Sequence, residues 1–108
     1  MTEIQCIKIR FRRDKVEEAV RWLHSLKERH EEVAELLDAE GIRVESLFLE
    51  RSGNEVYLYQ YVRANSLEQA YEAFMQSSSR ISEETRHFID EMWEDEQSLE
   101  LIVDFERP

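Results

Sequence analysis

Three tyrosines at alternate positions, Tyr57, Tyr59 and Tyr61, lie in the run EVYLYQYV, and two cations in the same rhythm, Lys8 and Arg10, lie in CIKIRF. Alternation sends every second side chain to one face of a strand, so each set shares a face. A phenol beside an ammonium or guanidinium ionises more readily, and such a group can orient an aromatic or carbonyl-bearing ligand or move a proton. Ser46 and Asp104, from two further strand-like runs, complete a candidate ligand-binding face of Lys8, Arg10, Ser46, Tyr57, Tyr59, Tyr61 and Asp104. No catalytic residue is singled out within it. The competing reading is an interface, because tyrosine buries area while keeping a polar tip. Lys8 and Arg10 would then pair only with Asp104 and Glu100.

The elements that must position these residues follow from periodicity. Ile4 to Phe11 alternates as a first strand, with Ile7, Ile9 and Phe11 opposite Cys6, Lys8 and Arg10. Asp14, with Glu17 three residues on, predicts a helix start. Val16, Ala19, Val20, Leu23, Leu26, Val33, Ala34 and Leu37 continue it to a stop at Gly41. That is a helix of about 26 residues, roughly 39 Å long.

GIRVESLFLE and EVYLYQYV then flank Arg51-Ser52-Gly53-Asn54 as a hairpin. A two-residue turn at Gly53-Asn54 sets Leu49 opposite Leu58, Leu47 opposite Gln60, Phe48 opposite Tyr59 and Ser46 opposite Tyr61. Ser66 with Gln69 caps a short helix carrying Leu67, Ala70, Tyr71 and Phe74 inward. Ser77-Ser78-Ser79 interrupts it, and Ser82 caps a further segment with Ile81, Thr85, Phe88, Ile89, Met92 and Trp93 on its apolar side. The last strand is expected at Leu99 to Phe105.

The order is β-α-β-β-α-β with the second helix split: an α+β, ferredoxin-like domain over residues 1–108 with a four-stranded antiparallel sheet and helices on one face. The tyrosine strand is expected to have the Lys8 strand as a parallel neighbour. The helix side should hold Ile7, Ile9, Phe11, Leu47, Leu49, Val56, Leu58, Val62, Leu101 and Val103. The other side carries Cys6, Val44, Phe48 and Ile102 besides the candidate site residues, an apolar surface too large to leave wet on a monomer. A second copy of the chain is the expected cover, giving a homodimer with a polar-lined cleft for a small organic molecule.

Other chemistry-bearing residues have plainer explanations. His30 interrupts the apolar stripe of the long helix and is expected at the core edge. His87 has Glu83 and Glu91 one turn to either side, but ligands on one helix do not make a metal site without partners elsewhere, so neither metal nor cofactor is expected. Cys6 is the only cysteine, and the two glycines mark a stop and a turn, so no phosphate-cradling loop exists. Composition narrows the classes further. The 108 residues hold 14 Lys and Arg against 25 Asp and Glu, a formal charge of −11, which argues against nucleic acid or an anionic membrane surface as partner. With no apolar run of spanning length and no leader-like segment, a reduced cytoplasmic protein is expected.

Taken together, CIKIRF, the Trp22-containing helix, VESLFLE, LYQYVRA, HFIDEMW and LELIVDF resemble a family of short bacterial proteins of unknown function, similar in layout to the dimeric α/β-barrel superfamily. That superfamily includes cofactor-independent monooxygenases, sugar mutarotases and haem-degrading enzymes. The family resemblance implies no established catalytic residues. The function expected from the residues is a homodimer that binds a small organic molecule over the sheet or serves as a structural unit, with a cofactor-independent monooxygenase or a mutarotase-like isomerase as the alternative.

Overall fold

The structure, a computed structural model, describes residues 2–108, so residue 1 of the expected domain lies outside it. It is an α+β arrangement: β1 (Glu3–Phe11), α1 (Val16–Ser25), α2 (His30–Glu40), β2 (Ile42–Ser52), β3 (Glu55–Ala64), α3 (Leu67–Gln76), α4 (Arg80–Met92) and β4 (Trp93–Ser98). The four strands form one antiparallel sheet in the order β2-β3-β1-β4.

The hairpin has the expected register, with Leu49 opposite Leu58, Leu47 opposite Gln60, Phe48 opposite Tyr59 and Ser46 opposite Tyr61. Of the two turn residues only Gly53 has positive φ (60°). A primed turn with glycine at its first central position matches the twist of the strands it joins. The β1 neighbour of β3 is antiparallel rather than parallel, which sets Lys8 opposite Tyr59, Arg10 opposite Tyr57 and Cys6 opposite Tyr61.

The core lies between sheet and helices. Ile9, Phe11, Val56 and Leu58 of the sheet meet Ala19 of α1 and Phe88 and Met92 of α4. Phe88 stacks on Trp22 at 4.4 Å and takes the edge of Phe11 at 5.9 Å, so both aromatic neighbours of that ring are fixed in geometries their quadrupoles favour. Val62, Ala64 and Ala70 form a smaller cluster at the other end.

Helix boundaries depart from the spacing in three places. The spacing predicts one helix from Asp14; instead Arg13–Lys15 is a 3-10 turn, Asp14 lies inside it and no side chain caps α1. The long helix is broken at Leu26–Arg29 by a second 3-10 segment. At the break, Arg29 leaves helical geometry (φ −123°, ψ 38°) and its guanidinium bonds Glu32 and Glu84 of α4 at 2.6–3.1 Å. The cap of α4 is Ser79, whose Oγ accepts from the Ser82 N–H, while Ser82 is fully buried. The Ser66 cap is present, with its hydroxyl accepting from Gln69 N–H. Ala70 is buried, but Tyr71 is largely exposed.

The largest correction concerns the last strand. Leu99–Phe105 has the stronger β composition, yet β4 is the polar run Trp93–Ser98. α4 runs directly into it, and it pairs with β1 from Phe11↔Trp93 to Ile7↔Ser98, with a bulge at Arg10/Phe11. By the time the chain reaches Leu99, whose N–H donates to Cys6 O, residues 99–108 have no helix or strand around them. Leu101 and Val103 are therefore exposed instead of facing the helices. Leu47 and Leu49 do face the helices but are about two-fifths exposed (40% and 41%), because the helix layer stands off the β2 edge.

Candidate functional site

The open face of the sheet collects most of the residues the alternation singles out. Lys8 Nζ lies 4.2 Å from the Tyr57 ring centre and 5.7 Å from that of Tyr59, cation–π distances that favour the charged amine. Its ammonium is held above the ordinary lysine range, chiefly by Tyr59. The Tyr59 hydroxyl donates to Glu50 Oε1 at 2.8 Å. Tyr61 accepts from Arg63 Nη2 at 3.3 Å, and the same guanidinium bonds Asp104 at 2.9 Å. Ser46 sits opposite Tyr61.

The expected pairing of Lys8 and Arg10 with Asp104 and Glu100 does not form: Arg10 lies 3.4 Å from Glu94, and Asp104 belongs to Arg63. Arg63 is the residue the alternation should have added, since it continues the 57-59-61 rhythm by two. The face is thus a set of local contacts around exposed apolar groups, above all Phe48 (62% exposed), with the buried Arg10 Nε left without a hydrogen bond among the described residues.

A cavity lies on the other side of the sheet. Between the helices and β1–β3 is a cleft of about 780 Å³, within the range that encloses a small organic ligand. Its walls are aliphatic and aromatic: Leu26, Val33 and Leu37 from the helical side, Leu47, Leu58 and Val62 from the sheet. None of Lys8, Arg10, Ser46, Tyr57, Tyr59, Tyr61 or Asp104 lines it. A smaller cleft of about 350 Å³ continues toward His24 and His30. His30 is exposed at the start of α2 rather than at the core edge.

Polar groups reach the large cleft from several elements, and one group of them comes from β2, β3 and the end of α2. Leu47, Gln60 and Ile7 stand in one row across three strands, and Glu45, Val62 and Gln5 in the next. Gln60 Nε2 donates to Glu45 Oε2 across one rung at 2.7 Å. Burial pushes the Glu45 carboxyl above its ordinary value, and the amide bond from Gln60 opposes this. Glu40, the last residue of α2, is buried (9% exposed) and has no hydrogen bond or ion pair among the described residues. Its burial, and secondarily the charge of Glu45, raise its carboxyl to about 7. Such a group holds and releases a proton near neutrality.

Neither glutamate stands out by spacing, because the sequence is rich in acids. The available signal was phase: Glu45 alternates with Val44, Ser46 and Phe48, so it must share the helix side with Leu47. Among the described residues no cluster of three or more His, Cys, Asp or Glu is placed to hold a metal ion. No helix there is long and apolar enough to cross a membrane.

No curated protein matches the chain. Residues 2–108 match the model of a family of unknown function, DUF6176, and the chain belongs to that family.

Proposed function

We propose that this chain is a ferredoxin-like domain that binds a small, largely apolar organic molecule between its helices and its sheet, and that it pairs with a second copy through the open sheet face. The strand order supports the fold assignment, since from the other edge it reads β4-β1-β3-β2, with the hairpin β2-β3 on one flank and both crossovers covered by helices. The observation that carries the binding role is the 780 Å³ cleft, largely apolar in its walls, with Glu40, Glu45 and Gln60 grouped among the polar residues of its lining. This moves the ligand from the tyrosine face to the helix side and leaves the tyrosines, Phe48 and Val44 to the subunit contact. Exposed phenylalanine and valine beside phenols are what an interface core needs. A single cysteine, unable to form an internal disulfide, suits a reducing cytoplasm.

Methyl NMR of the labelled protein against a panel of neutral apolar fragments tests the site. Shifts at Leu37, Leu47, Leu58 and Val62 are expected. Shifts confined to Val44 and its surroundings would return the ligand to the open face. The Glu40 carboxyl favours a second reading as an isomerase, with Glu40 as its proton carrier. Turnover that survives Glu40→Gln unchanged would rule that out.

A further inference from the structure

Resting on the cleft as a binding site, we infer that its ligand is an organic ammonium ion: a primary or secondary amine on an apolar body, its nitrogen seated between Glu40 and Glu45. Glu40 is nine-tenths buried, lines the cleft and is unpartnered among the described residues. Glu45 lines the same cleft and holds one bond, from Gln60. A carboxylate withdrawn from water requires either a proton or a cation close by.

The chain supplies no such cation. Burial raises both groups, and no lysine, arginine or histidine acts to lower either. The cleft lining carries Glu40, Glu45, Glu68, Asp90 and Glu96 against one base, Arg86. That guanidinium is already committed, bonding the carbonyls of Phe74 and Ser77 at 2.6 and 2.8 Å. An anionic ligand would therefore meet a lining of net negative charge.

An inorganic cation fits poorly, because hard metals demand six or more oxygens and the walls here are Leu26, Val33, Leu37, Leu58 and Val62. An ammonium needs only two or three acceptors, and its apolar body matches those walls. In the free protein near neutrality the Glu40 carboxyl is only partly ionised, so seating an ammonium beside it releases the proton it still holds.

Three probes of equal shape separate the possibilities: 2-phenylethylammonium, 2-phenylethanol and phenylacetate, titrated by calorimetry slightly above neutrality and followed by methyl NMR. The amine is expected to bind about tenfold or more tighter than the alcohol, one charge-assisted hydrogen bond's worth, with phenylacetate weakest. Glu40→Gln and Glu45→Gln should each narrow that gap while leaving alcohol binding in place. Calorimetry of the unaltered protein in two buffers of different ionisation enthalpy should show proton release with the amine. Equal or weaker amine binding, or a gap that survives both substitutions, overturns the ammonium and leaves the cleft standing. If none of the three moves the Leu37 or Leu58 methyls, the cleft itself is not the site and the ammonium falls with it.

Discussion

Gln60 and Glu45 face each other one rung apart on neighbouring strands, joined at 2.7 Å on the side of the sheet that the helices cover. A half-buried amide between Leu47 and Ile7 is not needed for packing alone, since an aliphatic side chain would fill the row without the cost of partial dehydration. Gln60 holds one carboxyl oxygen of Glu45 and so fixes the direction of this polar group in the cleft lining. Glu40 approaches that group from the C-terminus of α2, where the helix dipole also disfavours a negative charge. Two acids are thus kept in an apolar chamber by different elements.

The raised Glu40 carboxyl makes stability depend on pH in a definite direction. Its ordinary value is 4.5 and its folded value about 7, so between these the folded state binds more protons than the unfolded one. Stability from this group is complete below 4.5 and is lost as pH rises through about 7. The loss is on the order of 3 kcal/mol, since each tenfold difference in proton affinity between the two states is worth about 1.4 kcal/mol. Urea midpoints measured from pH 5 to 8 should fall with pH for the unaltered chain and fall distinctly less over that range for Glu40→Gln, where the raised Glu45 carboxyl remains. A parallel fall in both would remove Glu40 as the cause.

Two serines three residues apart at the start of α4 have separable roles. Ser79 Oγ accepts from the Ser82 N–H at 3.3 Å, and the buried Ser82 Oγ lies 2.8 Å from Ser77 Oγ and 2.9 Å from Ser79 O. Ser79→Ala should cost about 1 kcal/mol as a lost cap, and Ser79→Gly only a few tenths. Ser82→Ala leaves inward-facing oxygens short of a donor and should cost about 1–3 kcal/mol. Thermal melts of the three variants check the order; a larger loss at Ser79 than at Ser82 would mean that the cap outweighs the buried hydroxyl.

The elements legible in the residues were those whose partner is local. The hairpin register follows from alternation and a glycine turn, and the Ser66 cap from its own hydroxyl. Gly41, with φ of 70°, ends α2 in the left-handed conformation that glycine tolerates best. The misplaced features depend on distant groups. LKER has good helix propensity, and nothing in it announces a break that coincides with Arg29 reaching Glu84, 55 residues away. WEDEQS is a poor strand by composition, but it lies where α4 delivers the chain beside β1, whereas LELIVDF arrives after that edge is filled. The open face was visible because tyrosines alternate; the cleft was not, because it depends on how far α2 stands from β2.

Arg29 should matter more than an ordinary surface arginine. Its guanidinium serves two carboxylates at once, which raises it above its already high value and holds Glu32 and Glu84 below the usual carboxylate range. Glu84 also accepts from Trp22 Nε1 at 3.3 Å, so the break, α1 and α4 share one acid. Arg29→Gln should lower stability at neutral pH by about 1 kcal/mol, the scale of a well-formed but part-exposed ion pair. Because these carboxyls are depressed, their contribution is present above 4.5 and disappears as pH falls through their folded values. The difference between variant and unaltered chain should therefore close in strong acid. A gap that persists there would mean that Arg29 stabilises through packing of its stem.

The last expectation concerns the open face. Phe48 is 62% exposed and Phe105 88%, on a molecule whose net charge otherwise favours dispersal. Phe48→Asp adds a charge in the middle of that patch without touching the helix-side core, since Phe48 and Tyr59 pair outward. A dimer joined by this face would bring two such aspartates into a desolvated contact and should dissociate, while thermal unfolding of each chain shifts only as far as the lost association requires. Sedimentation velocity over a range of concentrations reads this directly. A monomer before substitution, or a dimer unaffected by it, would place any subunit contact elsewhere and leave the aromatic face without a partner.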